Sequence, residues 1–139
     1  MTGEGGLERF VEAQVDSYAT ALAEIRVGAK RSHWMWYIFP QLRGLGHSTM
    51  AQFYAIASLE EAVAYLGHPV LGARYDECVR SLQNLTGNEP AAIFGPIDAL
   101  KLGSSLTLFE HAQPSPLFGD ALDRWFGGRR DRATLGLLS

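Results

Sequence analysis

SHWMWYIFP, residues 32–40, is the densest aromatic stretch of the chain and holds two of its three tryptophans. Trp and Tyr combine a large apolar surface with a polar tip that needs a partner when it is buried. Basic side chains precede this aromatic segment at Lys30 and Arg31, and the hydroxyl of Ser32 opens it. Apolar walls with a few polar groups are typical of small-molecule sites, but a core segment has the same aromatic content. The sequence alone leaves both interpretations open.

The composition of the 139 residues is that of one globular domain, with 47% hydrophobic and 19% charged residues. A domain of this size buries most of its surface without disulfides or metals. Cys78 is the single cysteine, so it has no partner for an internal disulfide, and we expect a reducing, cytoplasmic location. The net charge of −3 offers nucleic acid little attraction. With neither a signal-peptide pattern nor an apolar stretch near the roughly 20 residues of a membrane helix, we expect no membrane partner.

Apolar residues recur at helical spacing along most of the chain. The first predicted helix covers residues 7–27, and Gly28 supplies its C-terminal stop. Ser58 and Glu61 have the spacing of a capping box, which predicts that another helix begins there. Further helix starts are predicted at Ser48, Pro69, Pro96, Ser115 and Asp131.

No alternating pattern bounded by hairpin turns is found, although residues 34–39 would also suit one buried strand. The sequence contains no internal repeat, linker or low-complexity tract. We therefore predict an all-α fold, a single compact domain of about seven short helices over residues 7–139. Residues 1–6 are predicted to form a disordered N-terminus.

Seven phrases of the sequence resemble those of the bacterial family called domain of unknown function 1810. They are LERFVEAQ (7–14), KRSHWMW (30–36), FPQL (39–42), GLG (44–46), HPVLG (68–72), SSLTLF (104–109) and DRATL (131–135). The resemblance covers nearly the whole chain and implies a small, compact, mainly helical fold without an established activity. The label calpastatin, sometimes given to this family, does not suit the composition, because that animal inhibitor is a long disordered chain.

The first functional hypothesis is a small-molecule site, for a nucleotide or an ADP-ribose-like anion, built on the aromatic segment. A tryptophan would stack a flat ring, cationic side chains would neutralise phosphate, and two residues would serve as acid–base groups. The candidate catalytic residues are His33 and Asp131, and the candidate ligand-binding residues are Lys30, Arg31, Ser32, Trp34, Trp36, Lys101 and Ser104. The sequence leaves open which ligand is bound and whether any reaction is catalysed.

The order of residues 58–62, 108–109 and Asp131 is faintly similar to that of the NADAR group of ADP-ribose-related enzymes. That group's glutamate–histidine phrase is missing from this chain, so its catalytic residues are not carried over.

Structural alternatives exist for several of these residues. Lys101 shares a helix face with Asp98, three residues earlier, and the two side chains can pair. Ser104 is a small residue that suits close packing of helices. Cys78 lies on an apolar helix face and is predicted to be inert core.

The four histidines and the cysteine show no paired spacing of the kind that metal sites need. They are His33, His47, His68, His111 and Cys78. We therefore predict no metal and no other cofactor.

Residues 44–48, GLGHS, form a loop that leads into a predicted helix. The sequence lacks the G-K-[ST] ending of a phosphate-binding P-loop. Backbone N–H groups at Gly46, His47 and Ser48 could still be presented to an anion. The alternative is that these residues only start the helix.

The second functional hypothesis is a non-enzymatic module for protein interaction, which docks a partner through the aromatic segment or through the helix over residues 118–126. It predicts an exposed apolar patch instead of a closed pocket. Arginine and lysine clusters at residues 26–31 and 129–132 are interpreted as solvated faces, so no nucleic acid is expected as a partner. The oligomeric state stays open.

Overall fold

The computed structural model describes residues 6–139, and within them the all-α prediction is confirmed. The prediction of about seven helices is wrong, because these residues form ten. The helices are α1 (Glu8–Val15), α2 (Tyr18–Val27), α3 (Met35–Ile38), α4 (Thr49–Phe53), α5 (Leu59–Gly67), α6 (Leu71–Gln83), α7 (Pro90–Phe94), α8 (Pro96–Ala112), α9 (Pro116–Phe126) and α10 (Arg132–Leu138). The prediction for the N-terminus falls almost entirely on residues 1–5, which lie outside the described residues.

The single helix predicted over residues 7–27 is divided into α1 and α2 by a turn at Asp16 and Ser17. The Ser17 hydroxyl donates to the Ala13 carbonyl at 2.6 Å, which competes with regular helical hydrogen bonding. The two helices also have different neighbours, since α1 packs against α3 and α2 packs against α6. A periodic sequence pattern does not reveal this change of partner, so the turn was not predicted.

The aromatic segment forms the short helix α3 and not a strand. Its side chains at Trp34, Met35, Ile38 and Phe39 are buried in the main core. The Trp34 and Phe39 rings pack beside Phe94 of α7, with edge-to-face geometry in both pairs. The segment is therefore part of the core and joins the first half of the chain to the second.

The centre of the core is α8, which contacts α5, α7, α9 and α10. All eight residues from Leu102 to Phe109 are buried, so the helix has no solvent face along this stretch. A Cβ atom at Gly103 would lie 3.0 Å from the Phe126 ring of α9, which accounts for a glycine at this helix crossing. Ser104, a small residue predicted to suit close packing of helices, is buried next to this crossing.

Four of the predicted helix caps are present. The Ser48, Ser58 and Ser115 hydroxyls accept backbone N–H groups at the starts of α4, α5 and α9. The Asp131 carboxylate does the same for α10, accepting from the N–H of Thr134.

Candidate functional site

The polar groups of the aromatic segment are bound by one carboxylate, that of Glu24 in α2. Its oxygens accept from the backbone N–H groups of Arg31 and Ser32, from the Ser32 hydroxyl and from the Trp34 indole N–H, all at 2.6–2.9 Å. Burial raises the pKa of Glu24, but the four hydrogen bonds to the carboxylate lower it by a larger amount. The net result is a pKa of about 2 instead of 4.5. Glu24 therefore holds the entry to α3, and the side chains of Ser32 and Trp34 have partners within the chain.

The two candidate lysines meet at Asp98 of α8. The Lys30 ammonium lies 2.9 Å from Asp98 Oδ2, and the Lys101 ammonium lies 3.5 Å from Asp98 Oδ1. Lys30 also donates to the Ser32 carbonyl, and its side chain is only 8% exposed. We call Lys30, Asp98 and Lys101 the lysine cluster, in which two positive charges share one carboxylate.

Each lysine of this cluster lies over a tryptophan of the aromatic segment. The Lys30 nitrogen is 5.0 Å from the centroid of the Trp34 ring, and the Lys101 nitrogen is 5.6 Å from that of Trp36. Trp34 is 1% exposed, whereas Trp36 is half-buried. With Ser32, whose carbonyl accepts from Lys30, the structure thus brings five of the predicted residues together, with Trp36 and Lys101 nearest to solvent.

Ser104 and Asp131 form a separate pair. The Ser104 hydroxyl lies 3.1 Å from Asp131 Oδ2, which also accepts from the hydroxyl and the N–H of Thr134. The backbone N–H of Asp131 donates to the Thr107 hydroxyl. These contacts cap α10 and attach it to α8.

The remaining two predicted residues, Arg31 and His33, are exposed. Neither side chain forms a hydrogen bond or ion pair with another group of residues 6–139. Cys78, predicted as inert core, is buried, and burial raises its pKa to about 12. Residues 6–139 contain no group of three His, Cys, Asp or Glu side chains that could hold a metal.

A cavity of about 380 Å³ lies directly after the aromatic segment in the chain. We call it the loop cavity, and its lining consists of Arg43, Gly44, Gly46, His47, Gln52 and Ala55. Two of these six residues are cationic or become so on protonation, and none is acidic. Small-molecule sites have volumes of about 300–1,000 Å³, so the cavity has room for a small organic molecule.

The loop that carries this cavity is closed at its base by backbone hydrogen bonds. The N–H of Arg43 donates to the Ile56 carbonyl, and the N–H of Ile56 donates to the Gln41 carbonyl, both at 2.8 Å. The buried Arg9 of α1 donates to the carbonyls of Phe53 and Ala55, at 2.8 and 2.6 Å. The base and the far side of the loop are therefore fixed to the core.

Glycines determine how closely the loop approaches its neighbours. A Cβ atom at Gly46 would lie 2.5 Å from the Cβ of Ala51 in α4, which is a severe overlap. Gly44 has a φ of +105°, a backbone conformation that favours glycine. A Cβ atom added to Gly44 would lie 3.4 Å from a methyl carbon of Leu137 in α10. Side chains at either position would move the loop and change the shape of the cavity.

The arginine and the histidine of the loop cavity have no carboxylate partner in the described part of the chain. Neither Arg43 nor His47 forms an ion pair with any acidic group of residues 6–139. The backbone N–H groups of Gly44, Gly46 and His47 also donate to no backbone carbonyl of residues 6–139. The arrangement offers several hydrogen-bond donors and positive charge within one concave surface.

Two further cavities help to define this site by comparison. Arg43 also lines a second cavity of about 420 Å³, which extends over Leu42, Glu60 and Leu137. A larger cavity of about 530 Å³ lies between α7, α8 and α9, where Glu89 and Asp123 balance two arginines. Within residues 6–139, the loop cavity is the one of these three whose lining includes a positive charge and no acidic side chain.

Sequence reasoning included Gly46 and His47 as possible anion contacts but did not select Arg43, Gln52 or Ala55. The signal in the sequence was the run RGLGHS, in which glycines stand beside cations. Gln52 and Ala55 are brought to the cavity by the hydrogen bonds at residues 43 and 56, which no local pattern predicts.

Comparison with known proteins adds a family and a close structural relative. A family model described as "Protein of unknown function (DUF1810)" matches residues 4–138. The crystal structure of the conserved hypothetical protein Rv1873 from Mycobacterium tuberculosis is similar, with 50% sequence identity and a TM-score of 0.93, and the match covers 95% of each chain. No curated protein matches the chain. None of the helices in residues 6–139 is long and apolar enough to cross a membrane.

Proposed function

The chain belongs to the DUF1810 family, whose description gives no activity, and from the site itself we propose that the protein binds a small-molecule anion in the loop cavity. This keeps the ligand class predicted from the sequence, which includes nucleotide-like anions, and moves the main site from the aromatic segment to residues 43–55.

The observation that supports the proposal most directly is the pairing state of the cations. Arg43 and His47 line the loop cavity, and none of the lining residues within 6–139 is acidic. Two opposite charges 4 Å apart attract by about 1 kcal/mol in water and about 4 kcal/mol near a protein surface, so an anion gains from a concave cationic site. The planar guanidinium of Arg43 also matches the two oxygens of a phosphate or carboxylate group.

The proposed function is binding, and the chemistry of the lining is consistent with it. The six lining residues include an imidazole, a guanidinium and an amide, but no thiol or hydroxyl nucleophile. The Gln52 amide nitrogen donates to the His47 carbonyl at 2.9 Å, which leaves the amide oxygen of Gln52 to accept from a ligand hydroxyl. A phosphorylated or carboxylated sugar-like molecule has both kinds of group.

The test is a calorimetric titration of the full chain with inorganic phosphate, ADP-ribose, NAD and AMP at low salt. We expect at least one of these anions to bind, and we expect Arg43→Gln to weaken binding at least tenfold, since hydrogen bonds to charged groups contribute about 1.5–3 kcal/mol. Arg31→Gln is the matched control, because Arg31 is also an exposed arginine and directly precedes the aromatic segment. Equal binding by the wild type and Arg43→Gln, or a loss only in Arg31→Gln, would contradict the proposed location.

A second candidate location is the edge of the aromatic segment, and the lysine cluster favours it. Two ammonium groups share the Asp98 carboxylate, which leaves one positive charge in excess beside the half-buried Trp36. A flat anion could stack on Trp36 and contact Lys101. The other residues predicted for this site are Arg31, Ser32, His33, Trp34, Ser104 and Asp131, of which Arg31 and His33 are exposed. Quenching of tryptophan fluorescence by the ligand, abolished in Trp36→Phe, would favour this location.

The interaction module is a candidate of another class. The helix over residues 118–126 was predicted from the sequence to dock a partner, but its large apolar side chains Phe118 and Trp125 are buried. Exposed apolar side chains occur on several other helices, and on α8 two of them lie one turn apart: Ile97 is 70% exposed and Leu100 is 73% exposed. Light scattering of the wild type and of Ile97→Lys/Leu100→Lys tests this candidate, because an interface on this face predicts an oligomer that the double variant dissociates.

A further inference from the structure

We propose that the ligand is an amphipathic anion, with a phosphate or carboxylate group held at Arg43 in the loop cavity and an apolar group lying in the second cavity. We call this second cavity the leucine cavity. Its lining includes Leu42, Arg43, Ser58, Glu60, Leu137 and Leu138. This inference rests on the proposed function and names the chemical class of its ligand.

Arg43 links the two cavities. It is the residue that their linings have in common, and its side chain is exposed. Gly44 of the loop cavity lies beside Leu137 of the leucine cavity, with 3.4 Å between a leucine methyl carbon and an ideal Cβ position on the glycine. A molecule bound to the Arg43 guanidinium is therefore in reach of both cavities.

The leucine cavity has an apolar wall that the fold itself leaves uncovered. Leu137 of α10 is 50% exposed, although Leu138 next to it packs against the main core and Leu42 is buried. Covering apolar surface is favourable, and each buried methylene of a ligand contributes up to about fourfold in affinity. An alkyl or aryl group against Leu137 would gain from this effect.

The charges of the two cavities set the direction in which the ligand lies. The lining of the loop cavity contains no acidic side chain, whereas that of the leucine cavity contains the exposed Glu60. A second anionic group beside Glu60 would be repelled by its carboxylate. The Ser58 hydroxyl accepts the N–H of Glu61 as a helix cap and adds no positive charge. The ligand should therefore have one anionic end and one uncharged end.

The test is a calorimetric series with inorganic phosphate, methyl phosphate, butyl phosphate and hexyl phosphate, below the concentration at which hexyl phosphate forms micelles. We expect affinity to rise at least tenfold from methyl to hexyl phosphate in the wild type. Arg43→Gln should weaken all four probes, and Arg43→Lys should restore part of the affinity. Hexanoate, titrated in parallel, distinguishes a carboxylate-binding site from a phosphate-binding one by which anion binds more tightly at equal chain length.

Leu137→Ser tests the apolar half of the inference. It should reduce the gain from methyl to hexyl phosphate, measured as the ratio of the two affinities within the variant, by at least threefold. Leu135→Ser is the matched control, because Leu135 is also an exposed leucine of α10 but does not line the cavity. Thermal unfolding of both variants shows whether they fold as the wild type does.

The results separate this inference from the proposed function. Binding of phosphate without any gain from chain length, or a gain that Leu137→Ser leaves intact, would overturn the amphipathic ligand and leave the anion site standing. Absence of binding by every probe would overturn both. Hexyl phosphate that binds Arg43→Gln as tightly as it binds the wild type would place the anionic group elsewhere and also overturn the inference.

Discussion

The aromatic segment, residues 32–40, and the loop cavity, residues 43–55, are neighbours in the chain but differ in how their polar groups are paired. Glu24 binds the N–H groups and the hydroxyl at the start of the segment, and Asp98 forms ion pairs with Lys30 and Lys101. The exposed side chains of Arg31 and His33 are unpaired in residues 6–139, but neither is among the lining residues of the cavities described above. Arg43 and His47 of the loop have no such partner in residues 6–139. Aromatic density marks the core in this protein, and unpaired cations in a concave surface mark the candidate site.

This comparison leads to a separation of effects. Substitutions in the aromatic segment should change the free energy of unfolding, because its groups hold the fold together. Substitutions of Arg43 or His47 in the loop should change ligand binding, because neither side chain forms an ion pair in the described part of the chain.

The largest effect on stability is expected for Trp34→Ala. Trp34 is buried, its indole N–H is bound by Glu24, and truncating a buried Trp to Ala lowers the free energy of unfolding by about 3–5 kcal/mol. Urea denaturation measures the change. Trp36→Phe, at the half-buried position, is the comparison and should lose much less. A loss below about 1 kcal/mol in Trp34→Ala would show that the segment is not a core element.

Glu24→Gln should have the next largest effect, about 1–2 kcal/mol at pH 7, since part of the carboxylate faces solvent. The folded state lowers the pKa of Glu24 from 4.5 to about 2, so the carboxylate stabilises the fold fully above pH 4.5. This contribution is lost as the pH falls from 4.5 towards 2, when the folded protein must also take up the proton.

Urea denaturation at several pH values between 2 and 7 measures this dependence. The stability difference between the wild type and Glu24→Gln should shrink steadily below pH 4.5. A difference that stays constant over this range would contradict the role of the Glu24 charge.

Gly46→Ala should have a smaller effect on stability and a clear effect on binding. The added Cβ would overlap that of Ala51, and overpacking of this kind costs about 1 kcal/mol where a surface loop can shift. The shift should weaken anion binding in calorimetry. Gly46→Ala/Ala51→Gly relieves the overlap and should recover binding. Unchanged affinity in Gly46→Ala would indicate that the loop does not contact the anion.

Much of the fold could be predicted from the sequence because its signals are local. The caps at Ser58 and Asp131 and the helical spacing around them depend on residues a few positions apart. The turn at Ser17 could not be predicted, because it depends on which helices α1 and α2 pack against. The helical, and not extended, form of residues 35–38 likewise has no local signal in the sequence, and in the structure this short helix packs against α1.

The candidate site was harder to predict than the fold. Pairing of Lys101 with Asp98 was expected from their spacing, but Lys30 reaches the same carboxylate from 68 positions earlier in the chain. Arg43 and Ala55 meet in one cavity because the hydrogen bonds between residues 41, 43 and 56 close the loop. Such pairings are set by tertiary structure, so the sequence offered the cations without showing which of them are unpaired.

The most direct test of the account is an NMR titration of the ¹⁵N-labelled full chain with inorganic phosphate at low salt. The backbone N–H groups of Gly44, Gly46 and His47 should shift and saturate together, and these shifts should disappear in Arg43→Gln. The stability of Arg43→Gln should stay within about 0.5 kcal/mol of the wild type, as expected for an exposed side chain. Saturating shifts confined to residues near Trp36 and Lys101, or none at any residue, would contradict an anion site in the loop cavity.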